Sequence, residues 1–225
     1  MANQEATDEY IEAEETVVEE KPSGGGIGKY RNILLGAAGA LVLGVAGYFV
    51  LDYLNEQKDQ EAKEQAIQAF KNYERDSLDK ALKGTSQYPG LEQLAEEYSS
   101  TKTGRLAKYM LGTVLIAQGK KEEGVKYLQA FGDNGTMVSA TAYAAQAYVY
   151  EEQNEPRKAA QMWEKAAAIK ENAFTTPDYL QQAARCYMDA GDNTSALALF
   201  KDIKKRFPNS EAGRNADKFI ARLSD

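Results

Sequence analysis

Polar and apolar positions divide this chain into three regimes. Residues 1–27 are polar, carry eight acids among the first twenty (Glu5, Asp8, Glu9, Glu12, Glu14, Glu15, Glu19, Glu20) and end in a Pro22-Ser23-Gly24-Gly25-Gly26 break. Residues 33–51, from Ile33 to Leu51, contain no charged side chain. From about residue 56 to the end, apolar residues recur every three or four positions with almost no β-branched alternation, a helical pattern. A helix over the apolar run rises about 28 Å at roughly 1.5 Å per residue, close to the hydrocarbon thickness of a bilayer. In lipid the backbone must satisfy its own hydrogen bonds, so the run predicts one membrane-spanning helix. Few apolar residues and a block of like charge predict a disordered tail before it.

The exit Tyr48-Phe49-Val50-Leu51-Asp52-Tyr53 is bulky, offers no small-x-small cleavage site, and favours an uncleaved signal anchor over an export signal. Lys21, Lys29 and Arg31 precede the span, and Lys58 and Lys63 follow it. Basic residues stay in the cytoplasm, which predicts a cytoplasmic N-terminus and an extracytoplasmic C-terminal domain. Gly36, Ala40 and Gly44 recur every four residues with Gly39 and Gly47 beside them, a smooth face for close helix approach in the membrane.

Within the helical region a segment repeats. Gly119-Lys120-Lys121-Glu122-Glu123-Gly124-Val125-Lys126-Tyr127-Leu128 returns 35 residues on as Asn154-Glu155-Pro156-Arg157-Lys158-Ala159-Ala160-Gln161-Met162-Trp163. A third copy, Gly191-Asp192-Asn193-Thr194-Ser195-Ala196-Leu197-Ala198-Leu199-Phe200, follows after 37 more. Each has a turn residue, a small residue five positions later, then a large apolar residue. Helix pairs pack closely at such a small slot while the bulky residue fills the gap to the next pair. Tyr98–Ala107 also aligns with Phe207–Ala216 at an offset of 109, with Thr101 and Ser210 placed as N-caps. Upstream, Glu61–Leu82 reads as one amphipathic helix that Tyr88-Pro89-Gly90 separates from Leu91–Tyr98.

These copies resemble the tetratricopeptide repeat (TPR). Leu111-Gly112 with Leu115, then Tyr143, Ala147 and Tyr150, then Leu180, Ala184 and Tyr187 stand in that motif's first-helix slots, and Pro208 takes its terminal proline. Phe131 and Ile203 depart from the late alanine that Ala166 keeps. The expected organisation is an acidic tail (1–27), a transmembrane signal anchor (28–54) and an all-α TPR-type solenoid (55–225). Its repeats lie near 105–138, 140–173 and 177–210, after a degenerate repeat at 60–100 and before a capping helix at 211–223.

Charge and composition narrow the function. The net charge of −7 resides mainly in the first 32 residues, which carry −5, while residues 52–225 carry −2. That near-neutral domain lacks the basic footprint of a nucleic-acid binder. One cysteine, Cys186, excludes an intrachain disulfide and a multi-cysteine zinc site; in its apolar helical setting it reads as packing. With no histidine, histidine-based triads and metal sites are excluded. The paired glutamates lie in polar stretches that read as solvated helix faces, and no phosphate-binding loop is present. No catalytic site, cofactor or metal is expected, so the chain reads as a non-enzyme.

Members of the TPR family bind proteins on a concave surface built from the first helix of each pair. The resemblance implies groove positions at Tyr109, Thr113 and Ile116, at Ala144, Tyr148 and Glu152, and at Gln181, Arg185 and Met188. The layout of tail, single span and TPR domain is similar to YfgM-type ancillary subunits of the bacterial Sec translocon. It implies an inner-membrane protein with a periplasmic domain. Its partners would be translocon subunits, a periplasmic chaperone or exported polypeptides, together with membrane lipid and no nucleic acid. Two alternatives stay open: a scaffold in another cell-envelope assembly or secretion machine, and a cytosol-facing receptor of reversed topology.

Overall fold

A computed structural model of the protein describes residues 27–224, so the acidic tail lies, but for Ile27, outside the described residues. The chain divides into two compact units between Leu51 and Asp52. In the first, helix α1 (Ile27–Glu74) begins and the apolar side chains from Ile33 to Leu51 are all exposed. This is the one described helix long and apolar enough to cross a membrane. Around Gly36, Gly39, Gly44 and Gly47 no heavy atom comes within 4 Å of where a Cβ would stand, and Ala40 is likewise exposed.

The second unit is a helical solenoid with one short hairpin. After the rest of α1 come α2 (Leu78–Lys83), a two-stranded hairpin of β1 (Gly84–Thr85) and β2 (Tyr88–Pro89), and α3 (Leu91–Glu97). Three helix pairs follow: α4 (Lys102–Ala117) with α5 (Lys121–Phe131), α6 (Met137–Glu152) with α7 (Pro156–Ala168), and α8 (Thr176–Asp189) with α9 (Asn193–Arg206). Helix α10 (Glu211–Ser224) closes the array. Each pair starts one to three residues before the expected repeat bound.

The turn residues that open the repeated segments end the first helix of each pair. Gly119, Asn154 and Gly191 adopt left-handed backbone at φ 83°, 58° and 73°. The amide after each reaches back to the last turn of its helix: Lys120 N to Leu115 O at 2.8 Å, Glu155 N to Tyr150 O at 2.9 Å, and Asp192 N to Tyr187 O at 2.8 Å. Glycine meets this C-cap at low steric cost, and asparagine is the usual second choice. The same cap recurs at Asp76 (φ 57°), where Ser77 N donates to Asn72 O at 2.8 Å. The expected single helix over Glu61–Leu82 is therefore corrected to two, α1 and α2, because Asp76 places there the same turn that separates the helices of later repeats. The longer spacing before the third copy falls in the α7–α8 loop. There the Asn172 carboxamide oxygen accepts from the amides of Phe174 and Thr175, both at 2.9 Å.

Small slots set how closely the pairs pack. A Cβ on Gly112 would stand 2.9 Å from Gly124 O, and one on Gly124 would stand 2.6 Å from Gly112 O, so α4 and α5 touch backbone to backbone. Ala147 with Ala159, and Ala184 with Ala196, hold the equivalent places and are buried, as is Ala166. The two aligned N-termini repeat atom for atom. Thr101 Oγ1 accepts from Gly104 N at 2.9 Å and donates to Tyr98 O at 2.9 Å; Ser210 Oγ accepts from Gly213 N at 2.9 Å and donates to Phe207 O at 2.8 Å.

The core runs along the array in patches. Ala62, Ala66 and Ala69 of α1 pack with Leu82, Leu91, Leu94 and Leu111. Ala147, Trp163, Ala166 and Cys186 form a second patch, and Phe200, Ile203 and Ala212 a third. Between the first and second repeats lies a smaller cluster of Leu128, Phe131 and Ala142, with the half-buried Tyr109, Ile116, Val138 and Ala145 packed against it.

Candidate protein-binding site

The nine groove positions divide according to what covers them. In α4, the Tyr109 ring packs on Phe131 with centroids 5.6 Å apart, and its hydroxyl accepts from Thr141 Oγ1 at 3.3 Å. Thr113 donates to Met110 O at 2.8 Å and meets the Tyr73 hydroxyl of α1 at 3.0 Å. Ile116 packs beside Phe131 and Leu128, and Ala144 lies buried in the patch around Trp163. Glu152 turns to Lys121 of α5, 2.7 Å away. These five positions serve helix packing or pairing in this structure.

The other four line open clefts. Tyr148 and Gln181 share a cleft of about 380 Å³ with Trp163, Asp178, Tyr179, Gln182 and Glu211. Arg185 and Met188 line a neighbouring cleft of about 360 Å³ with Glu151, Gln182, Cys186, Asp189, Phe219 and Arg222. Volumes of this size fall at the lower end of the roughly 300–1,000 Å³ typical of ligand pockets.

Trp163 is the floor of the first cleft. Its ring is 2% exposed, and Nε1–H donates to Glu151 Oε1 at 2.5 Å, which satisfies the one polar atom that burial would otherwise strand. Tyr148 stands edge-on to it at 4.8 Å and 84°, while Tyr179 stacks at 5.6 Å and 29°. Tyr148 is 55% exposed and forms the wall nearest solvent. Burial, and then the Tyr148 and Tyr109 hydroxyls and Asp178, hold the Tyr179 phenol above its ordinary pKa. Those three tyrosines come from α4, α6 and α8, one from the first helix of each pair.

Behind the clefts the polar groups are committed. The Tyr187 hydroxyl donates to Glu164 Oε2 at 2.6 Å, and burial followed by that carboxylate pushes its pKa up to about 12. Burial, then Glu151, pushes the Cys186 thiol up to about 12. Among the described residues no group of three acids or cysteines is placed to hold a metal ion.

Trp163, Tyr179, Asp178, Gln182 and Glu211 were not among the sequence-derived positions. The signal for Trp163 was its place as the sole tryptophan of the chain, in a slot where the other copies have Leu128 and Phe200. Asp178 and Glu211 share a cleft because the first turns of α8 and α10 both border it, which no single-copy register reveals.

The tetratricopeptide repeat family model matches residues 106–134 and 178–210, which cover most of α4–α5 and of α8–α9. Those two segments are similar to tetratricopeptide repeats. Between the two matched TPR segments, α6 and α7 form the same kind of pair with the same turn and small slots. Two solved structures share the TPR solenoid fold: TPR-like repeats of a Podosopora anserina protein described as a kinesin light chain, and a single-substitution variant of those repeats. Both align with a TM-score of 0.50 and 15% identity over 73% of this chain, covering 85% of the variant chain and 86% of the other. No curated protein matches the sequence. A TPR array of this kind is a protein–protein interaction module.

Proposed function

We propose that this protein is a membrane-anchored TPR module that binds extended protein segments. In this reading it is a non-catalytic accessory subunit of the bacterial Sec translocon that assists exported chains or their chaperones. The observation that carries the reading is the exposed run Ile33–Leu51, without a buried residue, in the same chain as a TPR array with open aromatic clefts. An exposed apolar surface of that length is unfavourable in water and is relieved by lipid. The basic residues before the run favour a cytoplasmic N-terminus and a periplasmic array in the inner membrane, and the likeness in layout to YfgM-type subunits supplies the translocon.

The test combines topology with capture, using the full chain in its membrane. A reporter that is active only outside the cytoplasm is fused after Asp225, and a photo-crosslinking amino acid replaces Tyr148. The reading predicts an active reporter and crosslinks to translocon subunits or to a chain in transit. A silent reporter would reverse the topology. Crosslinks confined to components of another envelope assembly would replace the translocon with a scaffold role.

A further inference from the structure

The residues lining the Trp163 cleft carry charge of one sign. Asp178 and Glu211 stand at its mouth, and no Lys or Arg lines it. Neither carboxylate forms an ion pair among the described residues, whereas Glu152, Glu155 and Asp192, at the α6–α7 and α8–α9 turns, are paired with Lys121, Lys158 and Arg157. Both unpaired acids lie in the first turn of a helix, where the macrodipole favours a carboxylate. The exposed Tyr148 ring adds an aromatic surface to which a cation is attracted.

Accepting the protein-binding reading above, we infer that the Tyr148–Trp163–Tyr179 cleft receives the basic side chain, Lys or Arg, of an extended partner segment. The aliphatic stem of that side chain packs against the exposed Tyr148 ring while its cationic head reaches Asp178 and Glu211. An acidic side chain meets repulsion from the same groups. The neighbouring cleft, lined by Arg185 and Arg222 as well as Glu151 and Asp189, carries both signs, so the selectivity belongs to the Trp163 cleft.

The protein contains its own probe, because Trp163 is its single tryptophan and floors the cleft. The full chain in detergent micelles is titrated with three capped, fluorescein-labelled peptides that are identical except for central lysines, glutamines or glutamates. Label anisotropy reports binding, and unlabelled copies report occupancy through Trp163 emission. The lysine peptide should bind at least about tenfold more tightly than the glutamate peptide and shift Trp163 emission. Raising salt from about 0.05 to about 0.5 M should shrink that preference in the wild type. Asp178→Asn with Glu211→Gln should abolish it while far-ultraviolet circular dichroism stays unchanged. Equal binding of all three peptides, each moving Trp163 emission, would overturn the basic preference and leave the groove reading standing. Lysine-peptide binding that leaves Trp163 silent would place the basic site elsewhere and overturn the inference. Absence of binding by any peptide would overturn the groove reading as well.

Discussion

Ala159 is fully buried in the slot that Gly124 and Ala196 occupy in the other repeats, where one helix of a pair meets the other. Its methyl group fills the space available, so Ala159→Leu should overpack the contact and destabilise the domain by about 1–3 kcal/mol. Gln161, two residues on and exposed, is the control: Gln161→Ala should stay within about 0.5 kcal/mol of the wild type. Denaturant midpoints of the two variants check the pair. Asp59 is a residue of a different kind, 2% exposed, accepting from Thr103 N at 2.8 Å and facing Lys63 at 3.0 Å. Burial alone would raise its pKa, but the Thr103 amide and then Lys63 outweigh burial and hold the carboxyl below its ordinary value. A pKa lower in the folded than in the unfolded state gives stability that is present above the unfolded value and lost as pH falls through the folded one. Melting temperature should therefore drop as pH falls below about 4, and Asp59→Asn should flatten that drop.

Among the elements, the turn at Gly191 isolates a backbone effect, since no atom lies within 4 Å of where a Cβ would stand and φ is 73°. Gly191→Ala should cost about 1–2 kcal/mol through left-handed strain alone, read as a lower melting midpoint with unchanged helicity. Such turns explain which elements were legible in the sequence. Gly119, Asn154 and Gly191 punctuate an amphipathic pattern at near-constant spacing, and the small slots follow each at a fixed distance, so the helix pairs could be read directly. Asp76 performs the same turn inside an unbroken amphipathic pattern, and an aspartate there reads equally well as a solvated helix position. The two-residue strands around Thr85 and Tyr88 are too short for any periodicity to show. The site was legible in part for a related reason. Register along one helix placed Tyr148, Gln181, Arg185 and Met188 on open surface, but it could not foresee that Tyr73 would engage Thr113 or that Lys121 would engage Glu152. Nor could it bring Trp163, Tyr179 and Glu211 together, because they belong to three different helices.

Over the whole second unit, the patches of core are joined in sequence, and the small cluster of Leu128, Phe131 and Ala142 links α5 to α6. The connecting loop holds its shape through Asn134, whose Oδ1 accepts from the hydroxyls of Thr136 and Ser139, both at 2.6 Å. Helical arrays gain stability from nearest-neighbour contacts, and opening starts where those contacts are fewest. Brief proteolysis of the native protein should therefore cut first between Asp133 and Gly135, giving two fragments that mass spectrometry can size. First cleavage within α7 or α8 would contradict that order. The same thin junction has a mechanical consequence. Elements connected in series bear equal tension, so a load applied between the N-terminal helix and a grip on Asp225 reaches every inter-repeat contact at once. The α5–α6 junction should yield before the glycine-packed α4–α5 pair and the alanine-packed α6–α7 pair on either side. A force–extension trace should then show an early, small lengthening followed by separate ruptures, making this short loop the shock absorber of the array.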